Sequence, residues 1–290
     1  MRSAFVLAAG LGTRLRPLTD ELPKALVPVG DSSALEHAVR AVRRGDETHV
    51  VVNAHHHAGA VVRAALALGA TPSNEARILG TAGALAYARA SLGDRDVVVW
   101  NADIVMAFDV SALERSRVEN GAAASWAIAP RARGEGTVGV DRDGFVVRVR
   151  DVRAGVESSG GDYLGVAALG RELVAAVPDE GCLVGDVQAP LVARGGRIAT
   201  VVHEGPWDDL GTPGAYLAAN LRWLAERGDR AWLGAGASAG SAPLDRVLLG
   251  EGARVIGPGA LQRVVVWPGA IVEGPLTEAI VTPSRVVRAG

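Results

Sequence analysis

The chemically informative residues crowd into the first two dozen positions: Gly10, Gly12, Arg14 and Lys24. A Gly-x-Gly loop that follows an apolar run lets backbone N–H groups approach a phosphate closely. Arg14 stands two residues beyond Gly12, and Lys24 sits in Pro23-Lys24-Ala25-Leu26-Val27-Pro28-Val29. Pro23 fixes the backbone just before the lysine and so helps to aim it. Among 30 Lys and Arg residues, Lys24 is the only lysine. A compact ammonium concentrates its charge on one phosphate oxygen, whereas a guanidinium spreads it. These residues therefore point to chemistry on a polyphosphate. The loop is neither of two common phosphate binders. Leu15 stands where a dinucleotide fingerprint needs its third glycine, and no Gly-Lys-Ser/Thr follows as in a Walker loop.

Elements must hold these residues in place. The run Phe5-Val6-Leu7-Ala8-Ala9 reads as a buried strand entering the loop. Residues 33–43 read as a helix capped by Asp31 or Ser32, 48–52 as a strand, 58–68 as a helix and 96–100 as a third strand. Strands alternating with helices predict an α/β, Rossmann-like fold with a mixed, mostly parallel sheet. Ligands of such sheets bind at the carboxyl ends of the strands, which places residues 8–13 and 101–103 at one rim. From 122 to 152 glycines punctuate short strands, which predicts added antiparallel sheet. Residues 215–227 read as an amphipathic helix closing a first domain, 1–230. From 234 to 290, Gly-Ala turns at 250–253, 257–260 and 267–270 separate valine and isoleucine pairs, which predicts a short left-handed β-helix-like tail.

Composition bounds the function class. The 290 residues carry a net charge of −2 and 49% hydrophobic residues. That balance argues against nucleic-acid binding, which needs a basic surface. One cysteine, Cys182, excludes a disulfide framework. No apolar run is long enough to span a bilayer. Arg2 and the apolar stretch to Gly12 have the charge and length of a signal peptide, but they run straight into Gly-Thr-Arg, so we read a strand and expect a cytoplasmic protein.

The run Leu7-Ala8-Ala9-Gly10-Leu11-Gly12-Thr13-Arg14-Leu15-Arg16-Pro17-Leu18-Thr19, with the Pro-Lys element after it, resembles the sugar-1-phosphate nucleotidylyltransferases. The resemblance continues through Leu79-Gly80-Thr81-Ala82-Gly83, Asp103 and Trp207-Asp208-Asp209-Leu210-Gly211-Thr212-Pro213, and covers residues 1–230. It implies attack of a sugar 1-phosphate oxygen on the α-phosphorus of a nucleoside triphosphate, with pyrophosphate leaving. By that resemblance, residues 7–13 (Leu7 to Thr13, with Leu11 at the turn) form the triphosphate loop. Arg14 stabilises the departing pyrophosphate, and Lys24 holds the sugar phosphate or the α-phosphate. Asp103 and Asp209 hold Mg²⁺, an ion that favours one or two carboxylates plus phosphate oxygens. Taken singly, Asp103 reads as a helix cap and Asp209 as a turn residue. Glu75, Thr81, Ala82 and Gly83 fall on the base side, and Tyr163 and Gly165 on the sugar side. The loop and tail together suggest a mannose-1-phosphate guanylyltransferase-like enzyme. A uridylyltransferase for an amino-sugar 1-phosphate and a non-catalytic regulatory subunit are the alternatives.

Two departures stand out. Ala102 precedes Asp103 where the family carries glycine. A second family lysine is missing where this chain reads Arg148-Val149-Arg150-Asp151, and Arg150 is the candidate substitute. Other conspicuous residues read as structural. His55-His56-His57 cannot converge on one ion from a regular element. Cys182 has no adjacent basic partner, Asp186 reads as a cap, and Trp223 and Trp232 as cover for the junction with the tail. The tail holds too few turns for an acyltransferase, so we read it as a packing element that would support a homodimer.

Overall fold

The computed structural model describes residues 2–44 and 48–289; residues 1, 45–47 and 290, which fall within the expected domain ranges, lie outside the described residues. The main elements, in chain order, are β1 (Arg2–Leu7), α1 (Ala34–Val42), β2 (Thr48–Ala54), α2 (Ala58–Ala67), β3 (Thr71–Asn74), α3 (Gly80–Leu92), β4 (Val97–Asn101), α4 (Val110–Glu119), β5 (Ala124–Arg131), β6 (Val138–Val140), β7 (Val146–Val149), β8 (Val152–Arg153), β9 (Ser159–Leu169), β10 (Ile198–Val202) and α5 (Pro213–Glu226). They are followed by the tail strands β11 (Ala231–Leu233), β12 (Leu244–Leu249), β13 (Arg254–Ile256), β14 (Leu261–Val266), β15 (Ile271–Glu273), β16 (Leu276–Val281) and β17 (Val286–Arg288). The chain falls into two compact units, residues 1–10 with 38–207 and residues 11–37 with 208–290. This cut follows compactness, whereas the one expected near residue 230 follows sequence motifs.

The first unit is built on one sheet in the order β8-β7-β6-β9-β4-β1-β2-β3, with β5 pairing β9 and β10. Strands β1, β2, β3 and β4 run parallel. Their near-continuous valine runs suit strands covered on both faces, and Val50, Val51, Val52, Val97, Val98 and Val99 are all buried. Strand β9 runs antiparallel to β4, β5 and β6 and joins the glycine-punctuated region to the parallel core. The core holds Phe5, Leu85, Leu92, Trp126 and Leu169, each almost fully removed from water.

The second unit wraps residues 11–37 onto α5 and the tail. Thr212 caps α5, its Oγ1 accepting from Ala215 N at 3.2 Å, and Pro213 opens the helix. The inner face of α5 grips the segment behind Lys24. Tyr216 donates to Pro28 O at 2.6 Å and accepts from Trp267 Nε1 at 2.9 Å. Asn220 Oδ1 accepts from Gly30 N at 2.9 Å. Gly30, at φ +62°, lies flat against the Trp223 indole, where an added Cβ would come within 2.1 Å. Trp223 meets Trp232 edge to face at 5.6 Å. Glu21 accepts hydrogen bonds from Thr282 and Ser284 of the tail.

The tail is a coil of stacked parallel strands ended by β17, which runs antiparallel to β16. Leu244, Leu261 and Leu276 stack in register, as do Leu249, Val266 and Val281, with Val255 over Val272 on another face. Inward valines and leucines form its core. Gly252, Gly257 and Gly269 take positive φ at the turns.

Candidate active site

In the second unit, three of the expected groups come together. Gly12 adopts φ +62°, where an added Cβ would lie 2.7 Å from Thr19 Cγ2 and 3.1 Å from Lys24 Cβ. Thr19 Oγ1 donates to Gly12 O at 2.9 Å and so closes the loop over the lysine stem. Lys24 opens a short 3₁₀ turn, held by Leu26 N donating to Pro23 O at 2.8 Å. Its Nζ lies 3.7 Å from Asp209 Oδ1. A Cβ placed on Gly211 would lie 3.1 Å from Asp209 Oδ1 and 3.2 Å from Arg14 Nη2, so Arg14 and Asp209 converge on this glycine. Asp209 Oδ1 is buried and accepts no hydrogen bond. Asp208, next in sequence, turns away to Arg222 Nε at 3.1 Å, and burial pushes its carboxyl up.

In the first unit, the loop entrance and Asp103 meet at the strand ends. Leu7 pairs with Asn101 in register, and Ala102 N donates to Leu7 O at 3.0 Å. Asp103 follows directly at this rim. The N–H groups of Ala8 and Ala9 donate to Asn53 Oδ1 at 2.6 and 3.2 Å, so they are held by protein. Gly10 and Leu11 are exposed.

The base-side residues form an ordered turn. Gly80 has φ +75°, and a Cβ there would lie 2.3 Å from Gly181 O. Gly83 packs as closely on Asp179 O. Ala82 N donates to Gly181 O at 2.9 Å, and Thr81 Oγ1 accepts from Leu183 N at 2.7 Å. These glycines thus admit a neighbouring backbone, and Ala82 is buried. Glu75 is 4% exposed, and burial pushes its carboxyl up despite hydrogen bonds from Asn53 and the Leu79 N–H.

On the sugar side, Gly165 has φ +71°, and a Cβ would collide with the Asn101 amide at 2.5 Å. This glycine lets Asn101 pack beside β9. The Tyr163 ring lies 4.5 Å from that of Trp126. Arg148 is buried and binds Glu157 through Nε at 2.8 Å and Nη2 at 3.0 Å, and also reaches the carbonyls of Glu135, Gly136 and Val138. Glu157 also accepts from Gly134 N at 2.7 Å and is held at a pKa of about 2 by the guanidinium. Arg150, at φ +52°, donates from Nη2 to Cys182 Sγ at 3.2 Å. The cysteine therefore has a basic partner after all, brought from 32 residues away and invisible in local sequence. Asp186 accepts from Cys182 N at 2.6 Å, so it ties back to the residues before it instead of capping the segment that follows, the role expected from sequence. His55 Nδ1 bonds Glu75 O, and among the described residues no cluster of three metal-ligating side chains occurs.

Sequence reasoning missed Asn53. Its signal was a polar residue ending the otherwise apolar run of β2.

Residues 3–150 match the profile of the nucleotidyl transferase family. The N-acetylmuramate α-1-phosphate uridylyltransferase of Caulobacter vibrioides is 36% identical over 77% of this chain and 97% of its own length. The chain belongs to the nucleotidyl transferase family, among its sugar-1-phosphate nucleotidylyltransferases. The mannose-1-phosphate guanylyltransferase of Mycobacterium tuberculosis is 29% identical over 93% of this chain and 81% of its own length. HddC from Yersinia pseudotuberculosis, solved with GMP-PN, shares the fold at a TM-score of 0.64 and 20% identity over 77% of this chain and all of that one. Among the described residues no helix is long and apolar enough to cross a membrane.

Proposed function

We propose that this enzyme transfers a uridylyl group from UTP to the 1-phosphate of an N-acetylated amino sugar and releases pyrophosphate. The observation that carries the chemistry is the convergence of Arg14, Lys24 and Asp209 around Gly211. Two cations beside one carboxylate suit a reaction whose main demand is to gather anions and neutralise charge on phosphoryl oxygens. Arg14 offers a forked donor to the departing pyrophosphate. Lys24 places a point charge on the attacking sugar phosphate or the α-phosphate. Gly10, Leu11, Gly12 and Thr13 face the triphosphate with their backbone.

Mg²⁺ fits this donor chemistry. Asp209 Oδ1 is a buried carboxylate oxygen with no hydrogen bond, the kind of atom a cation satisfies. Asp103 offers a second carboxylate at the rim of its own unit. Mg²⁺ held by such carboxylates would neutralise phosphate charge.

Uridine is favoured by the higher identity to the uridylyltransferase over nearly its whole length. Guanylyl transfer to mannose 1-phosphate is the second reading. It is supported by the likeness to the mycobacterial guanylyltransferase, which extends into the tail. Pyrophosphate release should be assayed with UTP and GTP against N-acetylmuramate, N-acetylglucosamine and mannose 1-phosphates. Preference for GTP with mannose 1-phosphate would replace the first reading by the second, and no turnover with any pair would remove both.

A further inference from the structure

A chain of buried polar groups lies under the entrance to the glycine loop, and none of its side chains has a part in the chemistry above. Asn53 and Glu75 are 2% and 4% exposed. Asn53 Oδ1 accepts from Ala8 N at 2.6 Å and Ala9 N at 3.2 Å, while its Nδ2 donates to Glu75 Oε1 at 2.7 Å. The Glu75 carboxylate also accepts the Leu79 N–H, one residue before α3. The Glu75 backbone is anchored as well: its N donates to Ala54 O at 2.8 Å, and its O accepts from His55 Nδ1 at 3.0 Å.

Burying a carboxylate is costly unless its bonds are made, so the same space would be filled more cheaply by apolar side chains. Here the polar pair ties two backbone turns together, one leading into the glycine loop and one opening α3. The polarity of each link is fixed. Position 53 must accept from Ala8 and Ala9, and position 75 must accept from Leu79; only the link between them can be reversed.

We propose that Asn53 and Glu75 are a pair of positioning residues that lock the loop entrance and the Leu79–Gly80 turn in one geometry, and so set the affinity for the nucleoside triphosphate without touching it. This rests on reading the glycine loop as the triphosphate site.

The reversible link supplies the test. N53D alone sets two acceptors face to face. E75Q alone leaves a donor facing either the Asn53 amide or the Leu79 N–H. The double variant N53D/E75Q restores every bond with the central link reversed: the new carboxylate takes Ala8 and Ala9 and the new amide, whose carbonyl takes Leu79. Net charge is unchanged. Each single variant should raise KM for UTP about tenfold or more, the usual effect of a mispaired buried polar group. KM for the sugar 1-phosphate should stay within about twofold, and the double variant should return to within about threefold of wild type. Thermal melts report folding. If a single variant unfolds, a folded and active double variant supports the pairing, and an equally unfolded one overturns it. N53D with unchanged KM, or single effects that simply add in the double, would also overturn it. Absence of turnover in the wild type would defeat the catalytic reading instead; calorimetric UTP binding to the same variants would then still decide the pairing.

Discussion

Replacing Glu157 by Gln tests how the sugar-side strands are held. The carboxylate binds the buried Arg148 at 2.8 and 3.0 Å and accepts from Gly134 N. Its side chain is 14% exposed, so water screens it little. Glutamine has the shape of the protonated acid, so the variant should mimic the wild type at very low pH. The native pKa of about 2 lies below the ordinary 4.5. A depressed native pKa means stability that is fully present above the unfolded value and is lost as pH falls through the folded one. A gap of roughly 2.5 units corresponds to about 3 kcal/mol at pH 7, falling to about 2 kcal/mol near pH 3.5. Urea unfolding of both proteins, followed by tryptophan fluorescence at pH 7, 5, 4 and 3.5, reads this difference directly. The gap between them should be constant from pH 7 to near 5.5 and narrow below. A gap under about 1 kcal/mol at pH 7, or one as large at pH 3.5 as at pH 7, would refute the argument.

Three further outcomes follow from the second unit. Asp209→Asn should lower turnover at least about a hundredfold and raise the Mg²⁺ concentration needed for half-maximal rate; an unchanged Mg²⁺ dependence would remove it as a ligand. Lys24→Arg, which keeps the charge but replaces a compact ammonium with a planar fork, should cost about tenfold or more in kcat/KM, and near-wild-type kinetics would show that only charge matters there. Gly30→Ala meets both a positive φ and the Trp223 ring, so it should destabilise by about 2 kcal/mol or more in a thermal melt; an unchanged Tm would mean the indole moves aside freely.

The parallel strands were legible because valine runs such as 97–99 are buried on both faces, and the loop because its glycines precede two cations. The coil of the tail was legible in its spaced Gly-Ala turns. Long-range polar pairings were not. Asn53 meets Glu75 across 22 residues, and Arg150 meets Cys182 across 32, with nothing local to mark either. Arg148 lies within β7 and is buried in an ion pair, whereas Arg150 lies just past the end of that strand at a left-handed turn. Ser33, rather than Asp31 or Ser32, caps α1 through Glu36 N, a difference of one residue that periodicity does not resolve.

The anchorage of residues 11–37 has an evolutionary consequence. Glu21, Pro28 and Gly30 rest on Thr282, Tyr216 and Trp223, and Trp267 braces Tyr216 from the coil. A lineage that deleted the coil would strip partners from the segment bearing Arg14 and Lys24, so such a loss should be accompanied by substitutions near positions 21 and 216.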